Sequence, residues 1–407
     1  MEYGLLGEKL GHSFSPQIHQ ALVGYDYRLL PTPPEEVEAL FRQRDFKGLN
    51  VTIPYKQTVM PLCGEIDPRA AAIGAVNTVV NRNGHLTGYN TDIDGLIYLA
   101  RRAGVELAGR KTVILGSGGT SRTAQAAAKE LGASEIVVVS RRGEDNYGNL
   151  SRHADAQVLI NTTPVGMFPG CGHSPVSLSL FPRLTGVLDV VYNPLRTALL
   201  MEAEARGLPC SCGLPMLVAQ AKRSAELFTG TSIPDSRTEE VLADLTAQLR
   251  NIVLTGMPGC GKTTVGRMLA ERLGKKFADL DQHIEERAGK PIPQIFAQDG
   301  EDAFRRLESE LVQEMGAQTG YVISTGGGVV TRGENYAPLH QNGVIVHLRR
   351  DLALLPTEGR PVSQNTELGE LWRRREPLYA AFADLTVDNG GTLEEAVEAI
   401  VKGVNGK

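Results

Sequence analysis

The sequence has too few cysteines to be held together by them. Its 407 residues contain five, Cys63, Cys171, Cys210, Cys212 and Cys260, at scattered spacing and with no CxxC pair. That excludes a disulfide framework and a cysteine-built zinc site, and it fits a reducing cytosol. Long apolar runs are missing too. None approaches the roughly 18 residues a membrane span needs. The longest, such as EIVVV, VLDVVY and VIVHL, are short and β-branched, and they read as buried strands of parallel sheets. The start, MEYGLLGEKLGHS, lacks a basic stretch followed by an apolar one, so no secretory signal is expected. Charge of one sign is also absent. A formal net charge of −5 gives no overall field favouring nucleic acid or an anionic membrane. What remains, 42% hydrophobic and 22% charged residues, predicts ordinary globular cores. At about 100–200 residues per domain, the length predicts two to four folding units.

Strand-like and helix-like stretches alternate almost throughout, which predicts an α/β protein. Thr112–Leu115 reads as a strand running into GSGGTS, followed by Ala124, Ala127, Ala128 and Leu131 at helical spacing and by a strand at Glu135–Val139. Ile252–Leu254 is a second strand entering a glycine loop, with Val265, Met268, Leu269 and Leu273 behind it at helical spacing. Between the two units, residues 236–250 predict a helix capped by Ser236, with Glu239 completing a capping box. No Gly/Ser/Pro-rich linker, repeat or low-complexity tract is visible. The domain boundary is therefore expected near Arg250: residues 1–250 form one domain and residues 251–407 another. The first divides into a substrate lobe (about 1–101), a nucleotide lobe (about 102–230) and closing helices to 250.

In the nucleotide lobe, Gly116, Gly118, Gly119, Thr120 and Ser121 follow a strand and open a helix. Bare backbone N–H groups at a helix N-terminus suit a pyrophosphate; the plain alternative is a tight strand–helix turn. Ser121 stands where the dinucleotide fingerprint has its third glycine. About 20 residues on, NAD enzymes place an acid on the ribose, but here the strand ends in Ser140-Arg141-Arg142. A guanidinium fork suits a phosphate dianion, so NADP is expected rather than NAD; a solvated basic turn is the alternative.

The substrate lobe carries polar motifs that a plain scaffold does not need: Ser13-Phe14-Ser15-Pro16, Asn50 to Lys56, Ala75-Val76-Asn77-Thr78 and Asn90-Thr91-Asp92. A lone lysine is usually a surface residue, so spacing does not by itself make Lys56 a site. The order of motifs says more. GHSFSPQIH, NVTIPYK, IGAVNT, GYNTD, LGSGGTSR, INTTPVGM, DVVYNPLRT and GLPMLVAQ follow one another across residues 11–220. This stretch resembles the shikimate dehydrogenase family. The resemblance implies that Lys56 and Asp92 are the catalytic pair. It implies that Ser13, Ser15, Thr52, Asn77, Tyr192 and Gln220 surround the substrate, and that Gly213 and Met216 lie near the nicotinamide. Arg141 matches the arginine on the 2′-phosphate, although its neighbours differ from the family's. Phe228 stands where the family often has Trp, which reads as a packing change. The reaction implied is reduction of 3-dehydroshikimate with NADPH, Lys56 delivering the proton and Asp92 orienting it.

Gly256-Met257-Pro258-Gly259-Cys260-Gly261-Lys262-Thr263 is GxxxxGK[ST] between a strand and a helix. Its backbone, with Thr264 beside it, predicts a phosphate cradle; Lys262 would reach the phosphates and Thr263 the Mg²⁺ of bound ATP. The motif does not name the acceptor. Asp279-Leu280-Asp281 reads as two carboxylates one strand period apart, Phe304 to Glu308 as part of a helix, and Gly326-Gly327-Gly328 as a close backbone approach after the strand Tyr321–Ser324. Any single arginine here is more simply a solvated charge. Taken together, residues 251–388 resemble shikimate kinase. That resemblance implies Asp281 on the ring hydroxyls, Arg305 and Arg375 on the carboxylate, Gly327 against the ring, and Glu308 holding Arg305. It implies Asp279 supporting Mg²⁺ and Arg360 as the lid arginine. The segment 351–360 is shorter than the family's usual lid and lacks the additional arginine often found upstream of Arg360.

The expectation is thus two enzymes on one chain, making shikimate and then shikimate 3-phosphate. Its partners are small molecules, with no nucleic acid and no membrane, in the cytoplasm. A ligand-sensing regulator with dead sites would have lost Lys56, Asp92, Lys262 or Asp281, and all are present. A quinate and NAD enzyme is opposed by Arg141-Arg142.

Overall fold

The computed structural model describes residues 2–11, 13–355 and 368–406. Close contacts divide the chain into two compact units. One comprises Met1–Met167, His173–Tyr192 and Leu199–Asp244; the other comprises Phe168–Gly172, Asn193–Ala198 and Leu245–Lys407. The division falls inside the helix Asp235–Leu249 rather than at its end near Arg250.

The first unit holds two sheets. The first has six strands in the order Tyr27–Pro31, Tyr3–Gly7, Gly48–Val51, Thr78–Arg82, His85–Tyr89, Glu65–Ile66. Its first three strands are parallel, and an antiparallel hairpin is joined to them in the register Gly48↔Val80. The hairpin turns at Asn83-Gly84, both at positive φ, as a two-residue turn that follows the twist of its strands demands. The second sheet is wholly parallel, in the order Cys210–Ser211, Gly186–Asp189, Val158–Asn161, Lys111–Leu115, Glu135–Val139. The central strands are buried on both faces, which is why they read as unbroken apolar runs. Lys111–Leu115 is followed in sequence by the neighbour on one side and then by the neighbour on the other. This is a topological switch point, and the crevice beyond the strand ends there is where such sheets take ligands.

The second unit is built on one parallel sheet, in the order Lys276–Asp279, Tyr321–Ser324, Asn251–Thr255, Gly343–Arg349, Leu385–Asp388. The central strand Asn251–Thr255 is again a switch point. Three of the motifs singled out in this half leave the sheet at its carboxyl edge: the glycine loop after Thr255, Asp281 after Asp279, and the glycine triplet after Ser324.

Predicted elements and observed ones agree within about a residue, except that VLDVVY is strand only to Asp189, and there are two further differences. The helix at 235–249 is not closed by a Ser236–Glu239 capping box. Glu239 instead takes an ion pair from Arg102 Nε at 2.9 Å and a hydrogen bond from the Tyr98 hydroxyl, and a charged partner outcompetes a backbone amide for a carboxylate. Asp279 and Asp281 do not share a strand. Asp279 ends one, and its Oδ1 accepts from the Asp281 and Gln282 amides at 3.1 and 3.4 Å, so it caps the helix Leu280–Ala288 in whose first turn Asp281 lies.

Candidate active sites

In the first unit a cavity of about 290 Å³ is lined by Ser13, Ser15, Asn50, Thr52, Lys56, Asn77, Asp92, Thr120, Tyr192, Gly213, Met216 and Gln220. Residues from seven of the eight quoted motifs, the last of them running into the helix Leu214–Thr229, are thereby brought together. Lys56 Nζ donates to Asp92 Oδ2 at 2.6 Å. Asp92 opens the helix Asp92–Arg102, and its Oδ1 accepts from Asn77 Nδ2 at 2.9 Å. Asn77 is fixed in turn: its Oδ1 accepts from the Thr91 amide at 2.7 Å and from Thr78 Oγ1 at 3.0 Å. Ser13 Oγ donates to Ser15 Oγ at 3.1 Å. The helix bearing Met216 and Gln220 comes close because Gly95 lies on the helix that starts at Asp92. A Cβ at Gly95 would stand 2.6 Å from the Met216 carbonyl oxygen.

Behind the lysine–aspartate pair lies a buried network that sequence reasoning did not single out as such. Ser224 Oγ meets Thr78 Oγ1 at 2.9 Å and Thr91 Oγ1 at 3.0 Å, and it accepts from Asn50 Nδ2 at 2.8 Å; Asn50 Oδ1 accepts from the Tyr27 hydroxyl at 2.8 Å. Asn50, Thr78 and Thr91 sit inside the motifs already quoted. Ser224 carries no local signal beyond lying one helical turn from Gln220. Phe228, a turn further on, is buried and stacks on Tyr3 at 5.2 Å, which makes it a packing residue.

The nucleotide loop fits a dinucleotide. Gly116 has φ 108° and packs on Thr162, while a Cβ at Gly118 or Gly119 would meet nothing within 4 Å, so bare backbone faces open space at a helix N-terminus. Ser121 is fully buried in the helix Gly119–Glu130. It occupies the position that packs helix on sheet rather than one facing a phosphate. Arg141 is exposed, in the turn after Glu135–Val139.

In the second unit a cavity of about 480 Å³ gathers Gly259, Gly261, Lys262, Thr263, Thr264, Asp281, Arg305, Gly327 and Arg375. Gly256, Gly259 and Gly261 have φ of 143°, 84° and 99°, values L side chains avoid, which leaves the loop's amides free to turn inward. Lys262 is buried, its Nζ donating to the carbonyls of Gly256 and Met257 at 2.9 and 3.0 Å. Thr263 Oγ1 donates to Asp279 Oδ2 at 2.7 Å. Two hard oxygen donors thus adjoin the cradle, a donor set that suits Mg²⁺ shared with phosphates. Arg305 Nη1 meets Glu308 Oε2 at 2.6 Å, and Arg375 Nη1 donates to the Gly327 carbonyl at 3.1 Å. Burial lowers the Arg375 pKa from its ordinary value. Burial, reinforced by Asp279 and Glu308 and opposed by Lys262 and Arg305, raises the Asp281 carboxyl to about 6.

The three consecutive glycines have three separate reasons. A Cβ at Gly326 would press on Glu308 Oε1 and Asp281 Oδ1 at 2.6 and 2.8 Å, one at Gly327 on Pro258 at 2.6 Å, and one at Gly328 would enter the Arg305 guanidinium. Glu285, Phe296, Phe304 and Arg350 also line this cavity and were not anticipated. Arg360 lies outside the described residues. No helix among the described residues is long and apolar enough to cross a membrane.

Comparison with known proteins follows the same division. The profile of the shikimate dehydrogenase substrate binding domain matches residues 5–79, and that of shikimate kinase matches residues 258–405. A shikimate dehydrogenase (NADP(+)) of Clostridium perfringens is 37% identical over 265 residues, covering 60% of this chain and 97% of that protein. Among solved structures, a chorismate mutase/shikimate 5-dehydrogenase fusion protein from Clostridium acetobutylicum is 37% identical with a TM-score of 0.57, covering 60% of this chain and 96% of its own. The shikimate 5-dehydrogenase of Thermus thermophilus, solved in complex with NADP(H) and shikimate, is 32% identical with a TM-score of 0.55, covering 60% of this chain and 99% of its own.

Proposed function

We propose, from the premise that the chain belongs to the shikimate dehydrogenase family and carries a shikimate kinase domain behind it, that residues 1–250 reduce 3-dehydroshikimate and residues 251–407 phosphorylate the shikimate formed. The observation that carries the first half is the Lys56–Asp92 pair, 2.6 Å apart in a cavity lined with hydroxyls and amides. The Lys56 ammonium stabilises charge developing on the ring carbonyl oxygen and gives that oxygen its proton. Asp92, held by Asn77, orients Lys56 and accepts from a neighbouring ring hydroxyl. Ser13, Ser15, Thr52, Tyr192 and Gln220 hold the remaining polar groups, and Gly213 and Met216 shape the nicotinamide side. Gly116, Gly118, Gly119 and Thr120 hold the pyrophosphate and Arg141 the 2′-phosphate; NADPH, when bound, supplies the hydride that no side chain can.

In the second half, Asp281 accepts the proton of the attacking hydroxyl, Arg305 and Arg375 grip the substrate carboxylate, and Gly327 packs on the ring. Lys262 neutralises phosphate charge, while Thr263 and Asp279 hold the metal and Arg360 meets the phosphoryl group. MgATP, when bound, supplies that phosphoryl group. The five free, scattered cysteines support a reducing compartment such as the cytoplasm.

The test is one incubation of the whole chain with 3-dehydroshikimate, NADPH, ATP and Mg²⁺, with products identified by mass. Shikimate 3-phosphate formed only when both cosubstrates are present supports both halves. Products that stop at shikimate remove the kinase half. If NADPH is not consumed, the dehydrogenase half falls and a shikimate control with ATP isolates the kinase.

A further inference from the structure

Phosphoryl transfer needs positive charge around the group in flight. Arg350 directly follows the strand Gly343–Arg349 and lines the same cavity as Gly259, Lys262 and Thr263. Its Nε is buried with no acceptor among the described residues. The cavity's other cations differ. Lys262 donates to two loop carbonyls, Arg305 is held by Glu308 and Glu301, and Arg375 donates to the Gly327 carbonyl. A buried N–H with no acceptor costs free energy, and such a group persists where something else supplies the acceptor.

The sheet decides which acceptor. Gly343–Arg349 pairs with Asn251–Thr255 in the register Thr255↔His347, and the next residue, Leu348, presents its carbonyl where a Cβ at Gly256 would collide with it. The strand thus ends with Leu348 against the first glycine of the phosphate loop, and Arg350, two residues on, enters the cavity with Gly259, Lys262 and Thr263. The carboxylate-gripping Arg305 and Arg375 come instead from the helices Glu301–Ala317 and Leu368–Phe382. We infer that Arg350 binds the phosphoryl group being transferred, as a second guanidinium beside the phosphate loop and additional to Arg360. A guanidinium fork matches phosphate oxygens in geometry as well as in charge. This inference rests on the kinase reading of the second unit.

Arg350→Met and Arg350→Lys are to be compared with the parent chain in kinase kinetics. In parallel, calorimetry measures binding of ADP and of a non-hydrolysable ATP analogue. Arg350→Met is expected to lose about 10- to 100-fold in kcat/KM for MgATP, with KM for shikimate held within about twofold. The analogue weakens more than ADP, and Arg350→Lys recovers part of the loss. Dehydrogenase activity and the melting curve, unchanged, exclude a folding defect; if Arg350→Met is misfolded, Arg350→Lys and its analogue binding decide. Kinetics within about twofold of the parent, a loss confined to KM for shikimate, or equal weakening of ADP and analogue would each overturn the assignment. If the parent chain does not phosphorylate shikimate, the kinase reading fails, while nucleotide calorimetry still tests Arg350 on its own.

Discussion

In the first unit the Lys56 and Asp92 side chains keep 29% and 18% of their surface exposed, whereas in the second Arg305 and Glu308 keep 7% and 0%. The sites solve different problems. In the proposed role Lys56 gives up a proton in each turnover and must regain it from water, which fits a pair that stays reachable and is steadied from behind by neutral amides and hydroxyls. Phosphoryl transfer must keep water away, so the second site buries its charges and sets each against another. Burying charges is costly, and removing one member of such a pair leaves the other stranded. Altering the first site should therefore cost activity, and breaking the buried Arg305–Glu308 pair of the second should cost fold as well.

The sharpest break between them is reciprocal. Lys56→Ala should cut 3-dehydroshikimate reduction by about 10²–10⁴-fold and leave shikimate phosphorylation intact, and Lys262→Ala should do the reverse, both read by separate assays on the full chain. If either variant, still folded, loses both activities, the sites are not independent.

Glu308→Ala should leave the buried Arg305 guanidinium with only the exposed Glu301 and destabilise the second unit by up to about 3–5 kcal/mol, seen as a lower denaturation midpoint.

Asp281→Asn should stop the kinase yet stabilise the fold. Moving a carboxyl from 3.8 to about 6 means the ionised group is disfavoured in the folded state, by roughly 3 kcal/mol at neutral pH. The raised value fixes the sign: stability from this group is fully present below 3.8 and is lost as pH rises through about 6. Denaturation across that window should show the slope in the parent and not in the variant. Kinase activity should run the opposite way, falling as pH drops through about 6, because the base must be ionised.

Arg141→Ala should weaken NADPH by about 10- to 100-fold and NADH little, and equal losses would detach Arg141 from the 2′-phosphate. The smallest effect belongs to Ser224→Ala, about 1–3 kcal/mol in stability with a few-fold rise in KM for 3-dehydroshikimate. A loss of kcat alone would show that the network does more than steady the pair.

What was readable in the sequence is what is local. The phosphate loop, the dinucleotide turn and the polar motifs of the substrate lobe are contiguous, and each element's period sits within its own residues. Unreadable were the contacts between segments far apart in the chain. Ser224 reaches Asn50, Thr78 and Thr91 only after two helices close over Gly95. Glu239 looks like a capping residue until Arg102 is beside it. Arg350 looks like the second of two surface arginines until the strand before it sets Leu348 against Gly256 and Arg350 in the phosphate-loop cavity. Asp279 and Asp281 were read as neighbours on a strand because a strand of four residues can end anywhere within the motif, and only the helix that follows shows where it ends.

That last difference reaches into how this half of the protein can change over generations. The two oxygens of Asp279 face different ways: Oδ1 holds the start of the helix that carries Asp281, and Oδ2 receives the Thr263 hydroxyl. A replacement with one donor oxygen, or with a longer arm, alters the seat of the metal and the aim of the acceptor base in the same step. On the proposed roles, metal preference and acceptor preference would be tied to one side chain.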